Sequence, residues 1–186
     1  GQRAPRTRRR DPMTDTVIRH AAEADLAPIA AIYNDVMRTS FTIWQEEPTS
    51  LAERQEWLEE TSTMGYPALV AADRSGVLGF IAAEPFRPWP GYAATWEHSI
   101  HVRRVSRSRG IGGWLLDAMQ ATLGTLGAHI MIAGIDSEND GSLRFHARAG
   151  FVETGRIPEV GQMRGSWRNL VLLQKTLTPL TTGAPY

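Results

Sequence analysis

The sequence predicts an α/β chain built on a mixed β-sheet covered by helices. Three observations carry that expectation. Segments with strand and helix patterning alternate along residues 16–174. The run Ile130–Ile135 is apolar without a break, as in a strand buried on both faces. Finally, an apolar strand leads through a loop of three glycines and four arginines, residues 103–113, into an amphipathic helix.

Taken in order, Thr16–His20 alternates as a first strand. Residues 22–37 place Leu26, Ile29, Ala30, Ile32, Tyr33 and Val36 at helical spacing. Pro48-Thr-Ser50 then opens a second helix, with Leu51, Trp57 and Leu58 inward and its glutamates outward. Residues 68–73, a turn at Arg74-Ser-Gly76, and residues 77–83 read as strand, turn, strand. Residues 92–102 form a strand running into the glycine loop, and 114–126 the helix after it. Residues 139–149 form another helix, stopped by Gly150. Phe151-Val152 and Asn169–Gln174 supply the last strands. The resulting order is β-α-α-β-β-β-α-β-α-β-β.

With 186 residues the chain is long enough for one domain with a real core. Its 42% hydrophobic and 22% charged residues are ordinary for a globular protein. No apolar run reaches membrane-spanning length and the start carries no secretory pattern, so a cytoplasmic location is expected, with no membrane partner. The absence of cysteine excludes disulfides, thiolate metal sites and cysteine nucleophiles. Arg3, Arg6, Arg8, Arg9 and Arg10 crowd the first twelve residues, leaving the remainder mildly acidic. Residues 1–14 are therefore read as a disordered basic head or an extension, 15–178 as the single domain, and 179–186 as a flexible tail. An acidic body does not suit a polyanion, so no nucleic-acid partner is expected.

The glycine loop is the main chemical signal. A helix that begins at glycines presents free backbone N–H groups at its positive dipole end, the arrangement a pyrophosphate requires. The dinucleotide fingerprint fails because Leu115 stands at its third glycine, and no Gly-Lys-Ser/Thr triplet occurs. What remains, Arg107-x-x-Gly110-x-Gly112, resembles the acyl-CoA loop of the GNAT superfamily of N-acetyltransferases. A second motif follows at the family's distance: Asn139-x-x-Ser142-x-x-x-His146-x-x-x-Gly150-Phe151. Its first three residues recur at helical spacing and emerge on one face.

Further segments, among them Ile32-Tyr33-Asn34, Thr42-Ile43-Trp44, Tyr66-Pro67, Phe86-Arg87, Trp96–Val102 and Gly165-Ser-Trp167, resemble the phosphinothricin/methionine sulfone N-acetyltransferase branch. The resemblance covers residues 17–177. It implies a GNAT fold of about six to seven strands flanked by about four helices. It also implies acetyl-CoA as acetyl donor, a small amino-acid-like amine as acceptor, and a homodimer. Acetyl-CoA would lie along Ile100, His101 and Val102, over Arg107, Ser108, Arg109, Gly110, Ile111, Gly112 and Gly113, and beside Asn139 and Ser142.

Acyl transfer to an amine needs a base, an oxyanion donor and a proton for the leaving thiolate. Glu97, half-buried near Trp96, Tyr92 and Ile100, is the candidate general base, acting through water. Its alternative is an ion pair with a nearby arginine. A backbone N–H of the Ile100–Val102 strand is the oxyanion donor that the superfamily implies. His146 stands where many relatives carry a thiolate-protonating tyrosine; it is read either as that acid or as a pantetheine contact. Glu97 and His98 point to opposite faces of a strand, which disfavours a metal site or a hydrolase triad.

Arg87 is the expected fork for an acceptor carboxylate, with Trp89, Tyr92 and Trp44 lining the same pocket. Relatives tend to carry a second arginine where Trp89 stands. Ala93 and Met163 replace further cations of the branch, Asn169 replaces a frequent aspartate, and Arg164 is a candidate compensating charge. Phe41 and Phe86 add apolar surface, although Phe41 and Trp44 serve equally as dimer packing. This favours a methionine-derived, neutral-tailed acceptor. The alternatives are another amine, such as a peptide N-terminus or polyamine, and a non-catalytic acyl-CoA binder.

Overall fold

A computed structural model of the chain describes residues 15–177. The basic head and the tail expected at 179–186 lie outside the described residues. The order is β1 (Val17–His20), α1 (Leu26–Thr39), α2 (Leu51–Thr63), β2 (Ala68–Asp73), β3 (Gly76–Pro85), β4 (Thr95–Val102), α3 (Ile111–Thr125), β5 (Ile130–Asp136), α4 (Asp140–Arg148), β6 (Val152–Met163) and β7 (Ser166–Thr176). The seven strands form one sheet in the order β1-β2-β3-β4-β5-β7-β6, antiparallel except for the parallel pair β4–β5. Among the described residues no helix is long and apolar enough to cross a membrane.

Two cores sandwich the sheet. On one face Leu115, Leu116, Met119 and Leu123 of α3 pack on Leu69, Leu78, Ile81, Met131 and Val171. On the other, Ile29 and Ile32 of α1 meet Val70, Val77 and Phe80. The 3.6-residue period of the helices and the two-sided apolar strands β2 and β3 dictate this layering.

Several boundaries differ from the expected ones for local reasons. The first helix starts at Leu26, because Asp25 accepts from the Ala22 amide at 2.9 Å and grips Arg19, holding a 3-10 turn ahead of it. Leu51, expected inward, is exposed: it is the first residue of α2, just past a reciprocal cap between Ser50 and Glu53. Only Trp57 and Leu58 of that trio are half-buried. Pro90–Tyr92 forms a 3-10 turn, so β4 begins at Thr95. In contrast, α3 begins three residues early, at Ile111. The largest difference is the β6–β7 hairpin, 12 and 11 residues long where two short strands were expected. Arg164 and Gly165 close it with positive φ (48° and 76°), as a two-residue hairpin turn requires. β6 is an edge strand with exposed residues of both polarities and two bulges, so it lacks the alternation that marks a strand.

One feature of the sheet positions the site. β4 pairs with β5 only from Thr95–His98 to Ile130–Ala133. Beyond that β4 stays with β3 to Val102, while β5 stays with β7 to Asp136. The two parallel strands fork after His98, and the β5-facing backbone of Ser99–Val102 is left without a strand partner.

Candidate active site

Glu97 stands at the fork, half-buried, with its side chain toward the α1–α2 side of the sheet. A Cβ on Gly134 would lie 2.9 Å from Glu97 Oε1, so the glycine in β5 makes room for the carboxylate. Burial pushes the Glu97 carboxyl above its ordinary value; the cross-strand Glu84 adds to this and Arg87 opposes it. The Glu97 side chain has no ion-pair partner within 4 Å among the described residues. A carboxylate so placed accepts a proton nearer neutral pH than a free glutamate does.

A cavity of about 940 Å³ opens over Glu97 between α2 and strands β3–β5. Its lining includes Tyr33, Arg54, Trp57, Glu84, Glu97 and His98. Arg54 is held in place by Thr49 Oγ1, which accepts from its Nε at 3.0 Å. Its guanidinium lies 4.7 Å from the Tyr33 ring centre and 5.3 Å from that of Trp57. The remaining guanidinium nitrogens have no carboxylate partner among the described residues.

The fork's other face carries His98 and His146, both buried. Their Nε2 atoms lie 3.0 Å apart, His98 Nδ1 faces the Ile132 carbonyl at 3.0 Å, and His146 Nδ1 faces the Ser142 carbonyl at 2.8 Å. Ser142 Oγ lies 3.3 Å from that same Nδ1. Burial, then the neighbouring His146, pushes His98 down to about 3, and burial pushes His146 down as well. Asn139 caps α4 through its Oδ1 and donates from Nδ2 to Thr42 Oγ1 at 2.9 Å, tying the α1–α2 loop to the start of α4.

Past the end of β4, Gly110 takes the N-cap position of α3 with φ 79° and no side chain to cap it. The first N–H groups of α3, from Ile111, Gly112 and Gly113, are therefore uncapped. Ser108 also has positive φ, 64°, which bends the loop so that Arg107 donates to the Val102 carbonyl and Arg109 reaches Asp73 at 3.6 Å. The Ile111 side chain is an anchor in the core. Ile100 and Val102 lie past the fork. The His101 side chain instead turns to the α1 core, against Tyr33 and Phe80, where burial pushes it down to about 4; only its backbone reaches the groove.

The structure does not bring the four expected acceptor residues together. Arg87 is exposed and stacks on its neighbour Phe86 at 4.2 Å. Trp89 and Tyr92 are exposed beyond β3, outside the cavity lining. Trp44 donates to Asp136 at 2.9 Å and covers Gly161, where any Cβ would overlap its ring. With Arg168, which chelates Asp136 at 2.7 and 2.8 Å and lies 4.0 Å from the Phe41 ring, Trp44 pins the α1–α2 loop to β5 and β7. Burial pushes Asp136 up, but the bonds from Arg168, Glu138 and Trp44 outweigh it and hold the carboxyl below its ordinary value.

Residues 15–152 match the family model described as an acetyltransferase (GNAT) domain. The chain belongs to the GNAT acetyltransferase family. It is therefore an acetyltransferase, and its mixed seven-stranded sheet with four helices is the GNAT fold. It is 43% identical over 169 residues to an L-methionine sulfoximine/L-methionine sulfone acetyltransferase of Pseudomonas aeruginosa, covering 90% of this chain and 98% of that one. It is 32% identical to a phosphinothricin N-acetyltransferase of Streptomyces coelicolor, covering 86% and 95%. A crystal structure of a phosphinothricin acetyltransferase from Sinorhizobium meliloti in complex with acetyl-CoA superposes with a TM-score of 0.85 at 30% identity, covering 93% and 94%.

Sequence reasoning named Glu97 and His146, which the structure places on the two faces of the fork; it did not single out Arg54 or Glu84, and weighed His98 only as a metal or triad partner. Arg54 carried a readable signal, standing three residues before Trp57 and so on the same helix face. Glu84 and His98 depend on strand register and the fork, which no local pattern encodes.

Proposed function

We propose that this enzyme transfers the acetyl group of acetyl-CoA to the α-amino group of a small amino-acid-like acceptor of the methionine sulfone, methionine sulfoximine or phosphinothricin type. The observation that carries the reading is the fork. Glu97 and a roomy cavity lie on one side of it, and the uncapped start of α3 lies at the far end of the strand that diverges. The relatives' substrates support the acceptor class.

Bound acetyl-CoA supplies a thioester carbonyl that an amine can attack. The uncapped amides of α3 and the flanking Arg107 and Arg109 suit its pyrophosphate. The free backbone edge of Ser99–Val102 suits its pantetheine amides, and one N–H there stabilises the oxyanion. Glu97 takes the proton that an ammonium must lose before attack, directly or through water. His146 stands on the leaving-thiolate side. Arg54, rather than Arg87, holds the acceptor's carboxylate, because it is the arginine in the cavity wall. Trp57 and Tyr33 offer the adjoining apolar surface for a methionine-like tail.

A panel assay of free-thiol release tests this reading. Methionine sulfone, methionine sulfoximine and phosphinothricin are expected to drive release from acetyl-CoA, with a polyamine far behind. Release that ignores the acceptor, or a polyamine as best acceptor, contradicts it. We also propose that the enzyme works as a cytoplasmic homodimer, since Val152, Ile157, Val160 and Trp167 are exposed on the β6–β7 hairpin. Sedimentation showing a monomer at micromolar concentration contradicts the dimer.

A further inference from the structure

His98 and His146 pose a problem of proton counting. Each Nδ1 faces a backbone carbonyl, which only accepts, so each contact asks for an N–H at Nδ1. The two Nε2 atoms then face each other at 3.0 Å and need one proton between them. Two neutral imidazoles carry two protons, and the three positions ask for three. Burial disfavours the charged pair that would hold all three. Two neutral arrangements remain. In the first, His146 Nδ1–H donates to Ser142 and His98 Nε2–H donates to His146, leaving His98 Nδ1 bare. In the second, His98 Nδ1–H donates to Ile132 and His146 Nε2–H donates to His98, while the Ser142 hydroxyl donates to the bare His146 Nδ1 across 3.3 Å. Each arrangement leaves one lone pair facing a carbonyl, relieved in the second only by the Ser142 hydroxyl at a stretched 3.3 Å, so neither satisfies every contact.

The pair also spans the fork. His98 lines the acceptor cavity, whereas His146 and Ser142 lie on α4 with Asn139. No carboxylate among the described residues bonds to either ring; the titratable neighbours are each other, Glu97 and His101.

We propose that His98 and His146 form a tautomeric proton relay, in which His98 takes up a proton on the acceptor side and His146 and Ser142 deliver one to the departing thiolate. The proton that the attacking nitrogen sheds after attack forms a bond at His98 Nδ1 as the contact of that atom with the Ile132 carbonyl opens. The Nε2–H bond of His98 breaks as that of His146 forms. The Nδ1–H bond of His146 breaks toward Ser142 Oγ, whose own proton passes to sulfur. One proton enters, one leaves, and both rings are neutral before and after; exchange with solvent resets them once product leaves. The relay extends the reading of His146 as the group beside the thiolate and rests on it.

Two measurements test the relay. In donor-free protein at neutral pH, ¹⁵N imidazole spectra are expected to show both rings neutral, each averaged between Nδ1–H and Nε2–H forms. A single fixed tautomer on each ring overturns the relay. In turnover, His98→Gln keeps a hydrogen-bonding side chain but cannot pass a proton through. It is expected to lower kcat roughly 100-fold, with acetyl-CoA affinity and Tm near wild type. Imidazole added to His98→Ala, whose vacated site borders the cavity, is expected to restore part of the rate. Retention of kcat within about threefold in His98→Gln overturns the relay, as does a folded His98→Ala that imidazole leaves inactive. If His146→Gln instead keeps full activity, the His146 assignment itself falls.

Discussion

Glu97 and Arg54 line one cavity and carry opposite charge into it. The first is a carboxylate lifted by burial and by Glu84, the second an arginine pinned by two rings and a hydroxyl with its outer nitrogens free. A fixed guanidinium loses little side-chain entropy on meeting a carboxylate and pairs with both oxygens at once. Arg54→Ala is accordingly expected to raise KM for methionine sulfone by about tenfold to a hundredfold, the equivalent of one charge-assisted pair. It should change KM for an acceptor without a carboxylate far less. Steady-state kinetics with the two acceptors checks this; equal effects on both would place Arg54 in packing alone. Arg87 acts at longer range, its charge opposing the upward shift of Glu97 from outside the cavity.

At the scale of elements, the cofactor groove we propose runs from the fork between β4 and β5 to the start of α3. The glycine at 110 meets two demands: φ of 79°, which side chains rarely adopt, and an N-cap bare enough for a phosphate to approach the amides. Gly110→Val is expected to weaken acetyl-CoA binding by tenfold or more, measured by calorimetry, while Gly110→Ala does so to a lesser degree. Undiminished affinity in the valine variant would move the pyrophosphate elsewhere. The strand, glycine-arginine loop and helix of that proposed groove were legible in the sequence, because they stand next to one another in the chain. So were α1, β2, β3 and β5, whose apolar periods are strong. The β6–β7 hairpin was not: an exposed, bulged edge strand has no buried face to write an alternating pattern. The acceptor site was legible only in part. Glu97 precedes the glycine loop and Arg54 shares a helix face with Trp57, but Glu84 and His98 reach the cavity through long-range strand pairing. Aromatic residues such as Trp44 and Trp89 suggested a pocket by type alone, and the fold uses Trp44 to brace a loop and leaves Trp89 at the surface.

For the whole molecule, the sheet works as a partition. α1 and α2 lie on the face we propose for the acceptor, α3 and α4 on that proposed for the donor, and among the described residues the strands part between them at the fork past His98 and Ala133. In the proposed reaction, amine and thioester arrive from opposite faces and meet between Glu97 and His146. If the partition works in this way, chemistry depends on Glu97 losing its proton. Because burial raises the Glu97 value, kcat/KM should climb as pH rises through that raised value rather than near an ordinary glutamate's. The decisive measurement is the pH profile of kcat/KM for methionine sulfone in wild-type enzyme and in Glu97→Gln. The variant is expected to fall by about 10² to 10⁴ and to lose the wild-type acid limb, with acetyl-CoA affinity unchanged. Wild-type rates in Glu97→Gln, with the same acid limb, would contradict the account.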